Sequence, residues 1–175
     1  MGRDIEDRYR GLPPRTPEML FRIVGKFYRG AVSHYDLIQE KKEDVRRAVA
    51  VWQETGEQGP LRQALWVLFC EFHFYVTCWL QIDLALYRLT QHGQNTGMAE
   101  LWKSFAPQIQ RHVKVREQLD DTESCVDQQF KHFGSQMAGV SEDRYWFDGL
   151  YFSVDQTSLH TLHQLYQAIM MRKQS

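Results

Sequence analysis

The chain lacks most of the patterns that announce a chemistry. It has only three cysteines, Cys70, Cys78 and Cys125. An odd number with no C-x-x-C pair argues against a disulfide framework and against a zinc–thiolate site. Cys70 and Cys78 lie in an apolar run and read as small core residues. Free thiols fit the reducing cytosol, so a cytoplasmic location is expected. No G-x-S-x-G elbow and no glycine-rich phosphate loop occurs, which removes the commonest signatures of serine hydrolases and nucleotide-binding enzymes. Charge of one sign is missing too. The net charge is -1, so no global field draws in nucleic acid or an anionic membrane, and only a local basic patch could do so.

A long uninterrupted apolar run is also absent. The most apolar stretch, Ala64 to Leu89, is broken by Glu71, His73, Gln81, Asp83 and Arg88. A spanning helix needs about 20 largely uncharged residues, so a buried central helix is expected and no membrane partner. The first residues, Met1 to Arg8, hold no apolar core of a secretion signal, and Glu6 stands where myristoylation wants Ser or Thr. No internal repeat or low-complexity tract is present.

What the chain does have is 175 residues, enough for one domain with a substantial core, and an aromatic share of 13% that needs a packed interior or an interface to cover it. Thr16-Pro17-Glu18 is a helix start: a capping hydroxyl, a proline for the first turn and an acid at the positive end of the dipole. Leu20, Phe21, Val24, Phe27, Tyr28, Val32, Tyr35 and Ile38 follow at helical spacing, and the pattern runs on through Val45, Val49 and Trp52. The segment Thr55 to Pro60 stops it. A second helix is predicted from Pro60 to His92-Gly93. A loop at Gln94 to Gly97 and a short helix, Met98 to Phe105, follow. Pro107 is expected to redirect the chain into a helix ending at Phe133, with Gly134 closing it. Residues 134–144 read as a loop. In Tyr145 to Phe152, two aromatic runs flank Asp148-Gly149, a pair suited to the positive φ of a tight hairpin turn. Asp155 to Ser158 then caps the last helix, whose core face is Leu159, Leu162, Leu165, Tyr166 and Ile169.

The expected fold is therefore all-α: an up-and-down helical bundle with one short β-hairpin before the C-terminal helix. Residues 1–15 are expected as an extended N-terminal arm and 16–175 as a single helical domain.

Three constellations carry possible chemistry. On the predicted fourth helix Arg116, Asp120 and Glu123 fall at i, i+4 and i+7 and share a face, with Asp121 beside them and Arg111 and His112 a turn earlier. Arg111, His112 and Arg116 could bind phosphate, and Asp120, Asp121 or Glu123 could move a proton. The bland alternative is a solvated face with an Arg116–Asp120 pair. Inside the central helix, Glu71, His73, Thr77, Gln81, Asp83 and Arg88 must be paired or functional, core hydrogen bonding being the simpler account. Finally His34, His73, His160 and His163 could meet in a bundle, but no Glu-x-x-His pair supports a metal site, so neither metal nor cofactor is expected. Nothing near Cys125 would lower its pKa.

Two stretches, Val113 to Glu123 and the hairpin Tyr145 to Val154 with Asp155 and the final helix, resemble a prokaryotic branch of the HEPN superfamily. Its members are helical-bundle proteins and many are RNases. The resemblance implies a helical fold, pairing of two copies through the Arg116 helix, and RNA as a partner. The family's RNase motif is an Arg, a polar residue and then a His a few residues on. Here Glu117 follows Arg116, while Asp121, Thr122 and Glu123 stand where the His belongs. Arg29 and His34 have the family's spacing but lie on the first helix. The expectation is thus a HEPN-like homodimer that binds nucleic acid or a protein partner without the standard nuclease site. The alternatives are a divergent RNase of a toxin or phage-defence system, using Arg116 with Asp121 or Glu123, and a metal-dependent helical-bundle enzyme.

Overall fold

The computed structural model describes residues 7–93 and 97–173. Its elements are α1 (Pro17–Thr55), α2 (Gly59–Thr90), α3 (Met98–Gln118), α4 (Thr122–Phe133), α5 (Ala138–Ser141), β1 (Tyr145–Phe147), β2 (Leu150–Phe152) and α6 (Gln156–Lys173). The fold is all-α with one antiparallel hairpin before the last helix, as the periodicity predicts.

Local chemistry sets most boundaries. Thr16 accepts a hydrogen bond from the Met19 amide at 3.2 Å and starts α1. Gly56, with φ of 74°, ends it by donating its N–H to the Trp52 carbonyl. Only a short link separates the 39-residue α1 from the 32-residue α2, so the two pack as a long antiparallel pair. α3 lies against α2, α6 against α1 and α3, and α4 against α2 and β1. Leu65, Leu68, Phe69, Phe72, Tyr75, Val76 and Trp79 of α2 are all fully buried, which makes α2 the axis of the core. Among the described residues, α2 is the one helix long and apolar enough to cross a membrane, and 50% of its most apolar window is buried inside the protein.

Four expectations are corrected. Pro107 does not redirect the chain: it sits inside α3, which runs unbroken from Met98 to Gln118. The break comes at Leu119 to Asp121 instead, because the Asp121 carboxylate accepts from the Ser124 amide at 3.0 Å and caps a new helix. The stretch 134–144 is not all loop, since it holds a 3-10 turn and the four-residue α5. Nor is α2 buried all round. Trp66 and Phe74 are 40% and 41% exposed, and Cys70 between them is half-buried rather than in the core.

The first-residue segment is tied down where it is described. Arg8 and Tyr9 bond to Asp83 of α2, Arg88 donates to the Pro13 carbonyl, and the His92 ring bonds the Arg15 carbonyl. The predicted loop residues 94–96 and arm residues 1–6 lie outside the described residues.

Candidate functional site

The hairpin shows how sequence becomes surface. Asp148 and Gly149 take φ of 38° and 95°, the turn their sequence favours. The register is Tyr145 with Phe152, Trp146 with Tyr151, and Phe147 with Leu150. Alternation sends Tyr145, Phe147 and Phe152 inward against Phe69 and Phe72. The same alternation leaves the Trp146–Tyr151 pair on the outer face, where α4 adds His132. The imidazole lies flat on the indole, centroids 3.9 Å apart at 3°. Tyr151 stands edge-on to Trp146 at 5.0 Å and its hydroxyl bonds His132 Nε2 at 2.8 Å. The Arg144 guanidinium covers Tyr151 at 5.0 Å and pairs with Glu142 at 2.8 Å, and Arg111 of α3 donates to the Tyr151 carbonyl. The result is a small platform of rings with one cation over Tyr151 and another at its edge. Sequence reading saw the aromatic runs but not the platform, because His132 arrives from another element.

The Arg116 group is rearranged by the break after α3. Arg116 Nη1 bonds Asp120 Oδ1 at 2.9 Å, the simple pair that the i, i+4 spacing allows. Glu123 belongs to α4 and does not continue that face, and Asp121 is occupied as a helix cap. In their place α2 brings His73, whose Nε2 is 3.8 Å from Asp120 Oδ1, too far for a hydrogen bond. Burial and the Arg116 cation push the His73 pKa down, against a smaller upward pull from Asp120. His73 is therefore neutral at pH 7, beside an Arg116 whose buried Nε–H has no partner among the described residues.

His112 cannot serve as the surface binding residue that its sequence neighbourhood suggests. It is 3% exposed and stacked on Trp79 at 3.8 Å. Its Nδ1 is 2.7 Å from the Gln108 carbonyl, which can only accept, so Nδ1 carries the proton. Nε2 then accepts from Ser158 Oγ at 2.7 Å, and Ser158 accepts from the Tyr75 hydroxyl at 2.8 Å. Burial drives the His112 pKa down to about 3 and lifts that of Tyr75 to about 12, so both stay neutral and the chain of bonds has one direction.

The four histidines considered as ligands do not converge. His34 bonds Glu71 at 3.0 Å, His163 bonds the Tyr28 hydroxyl at 2.6 Å, His73 faces Asp120, and His160 is exposed on α6. Among the described residues no group of three His, Cys, Asp or Glu side chains is placed to hold a metal ion. The Cys125 thiol is buried, with its pKa raised to about 12, which leaves it inert. Compared with family models, curated proteins and solved structures, the chain matches none.

Proposed function

We propose that the chain is a HEPN-like helical protein that binds single-stranded RNA in the cytosol, as a homodimer and without the family's nuclease chemistry. The observation that carries this reading is the His132–Trp146–Tyr151 platform with Arg144 over its tyrosine. Exposed rings stack on unpaired bases irrespective of sequence, and neighbouring cations meet the phosphates. With a net charge of -1, binding must come from such a local patch. The homodimer is supported by Trp66, Cys70 and Phe74, an uncovered stripe at i, i+4 and i+8 on α2.

The test is fluorescence anisotropy with a labelled unstructured oligonucleotide at near-physiological salt. Tyr151→Ala and His132→Ala should each weaken binding, with the loss of one stacked base amounting to about 1–3 kcal/mol. Unchanged affinity in both variants, or no binding by the parent protein, refutes the proposal. Light scattering of the purified protein checks the dimer, and a monomer at high concentration removes that part.

One observation favours a second reading, the divergent RNase. Neutral His73 beside Arg116 is a base next to a phosphate-binding cation, although the two come from different helices. In this reading His73 takes the 2′-hydroxyl proton and Arg116 holds the phosphate, replacing the Asp121 and Glu123 roles. Cleavage that persists in both His73→Ala and Arg116→Ala rules it out.

A further inference from the structure

A cleft of about 600 Å³ opens between residues 8–9, α2 and α3. Its floor is Asp83, fully buried and saturated with donors. Arg8 Nε and the Tyr9 hydroxyl each reach Asp83 Oδ2 at 2.8 Å, and Trp102 Nε1 reaches Oδ1 at 3.0 Å. The Arg8 cation balances the carboxylate, so the floor presents little net charge. Tyr9 stacks on Tyr87 at 4.2 Å and carries the Arg8 guanidinium over its ring at 4.5 Å. That leaves the Trp102 indole, edge-to-face with Tyr9 at 5.6 Å and fixed by its bond to Asp83, as the aromatic wall.

The α3 wall adds two further features. Lys103 lines the cleft, is exposed, and has no ion pair among the described residues. Ala106 and Pro107, also in the lining, are exposed and contribute apolar surface. A fixed indole wall, an apolar side and a lysine without an ion pair among the described residues select a particular chemistry. The volume falls within the range of small-molecule sites, about 300–1,000 Å³.

We propose that this cleft binds a small planar aromatic acid, its ring against Trp102 and its anionic group on Lys103. The proposal is independent of the RNA reading, which rests on the hairpin at a different place.

The probe is 1-naphthoate, titrated into the full chain by ligand-observed NMR, with 1-naphthalenemethanol as its uncharged counterpart. Saturable binding of the acid is expected, with the alcohol weaker by about twofold to fivefold, the scale of one exposed ion pair. Lys103→Gln should lower affinity for the acid to that of the alcohol. Lys103 is exposed, so this variant should fold normally. Trp102→Phe removes the Asp83 bond while keeping a ring, and should also weaken the acid. Arg47→Gln, which removes an exposed cation from α1, should leave binding unchanged. No saturable binding by the parent chain, equal affinity in Lys103→Gln, or loss of binding in Arg47→Gln would each overturn the proposal.

Discussion

Gln129 and Trp146 are joined by two hydrogen bonds that make a side chain act as a third strand. Gln129 Nε2 donates to the Trp146 carbonyl at 2.7 Å, and Gln129 Oε1 accepts from the Trp146 amide at 2.9 Å. A two-residue turn and three-residue strands are marginal alone, so the outer edge of β1 needs this partner. Gln129 is fully buried. Gln129→Leu fills the space but strands both backbone groups, and should cost about 2–6 kcal/mol in urea unfolding, from about 1–3 for each unpaired group. A loss under about 0.5 kcal/mol would show that the hairpin holds its edge without the amide.

Acid should unfold the protein through His112. Its pKa falls from 6.5 to about 3 on burial. Between those values the unfolded chain holds a proton that the folded one does not, so stability is present above pH 6.5 and is lost as pH falls toward 3. The slope from this one group approaches about 1.4 kcal/mol per pH unit. Urea midpoints at pH 7.5 and pH 5 should differ accordingly. His112→Gln, which keeps a donor and an acceptor, should flatten much of that dependence while lowering stability at pH 7.5. An equal pH slope in parent and variant would assign the acid sensitivity elsewhere.

These two residues mark what the sequence can and cannot carry. The hairpin was legible because alternation and Asp148-Gly149 act within ten residues. Helix starts at Thr16 and Asp155 were legible for the same reason: each side chain caps an amide three residues on. Gln129 was not legible, since nothing local distinguishes its amide from that of Gln128. Pro107 misled because its missing hydrogen bond is outweighed by the packing of Met98, Leu101, Ile109 and Val113, all buried along one continuous helix. The Arg116–Asp120 pair follows its i, i+4 spacing, but the face does not run on to Glu123, because the Asp121 cap outcompetes helix continuation. Its actual neighbour, His73, lies on another helix, and only tertiary packing brings it there.

The Arg116–His73 proximity gives a measurable consequence. Burial lowers the His73 pKa most, and the Arg116 cation adds to the effect. Arg116→Gln should therefore raise it, and Asp120→Asn should lower it further, both read from the ring resonances in an NMR titration. Stability should change by less than about 1 kcal/mol in either variant, because the pair is partly exposed. Opposite signs of shift are the discriminating outcome. Shifts of the same sign would mean that a backbone change, not the removed charges, governs His73.

Gly139 ties the core of the C-terminal half to the platform. A β-carbon there would collide with the ring of Phe133, and its φ is not in the left-handed region, so space and not backbone freedom requires the glycine. In an ordinary helix position Gly→Ala stabilises by about 1 kcal/mol. Here the sign should reverse, with Gly139→Ala costing about 1–3 kcal/mol through overpacking. Phe133 stands edge-on to His132 at 4.9 Å and lies 6.2 Å from Tyr151, so a displaced ring disturbs the stacked surface as well. Gly139→Ala should thus weaken oligonucleotide binding along with stability. Phe133→Leu in the same chain should recover part of the stability, because the two side chains contend for one volume. It should not recover binding, because the ring beside His132 is then gone. Full recovery of both would place Phe133 outside the binding surface and confine the defect to packing.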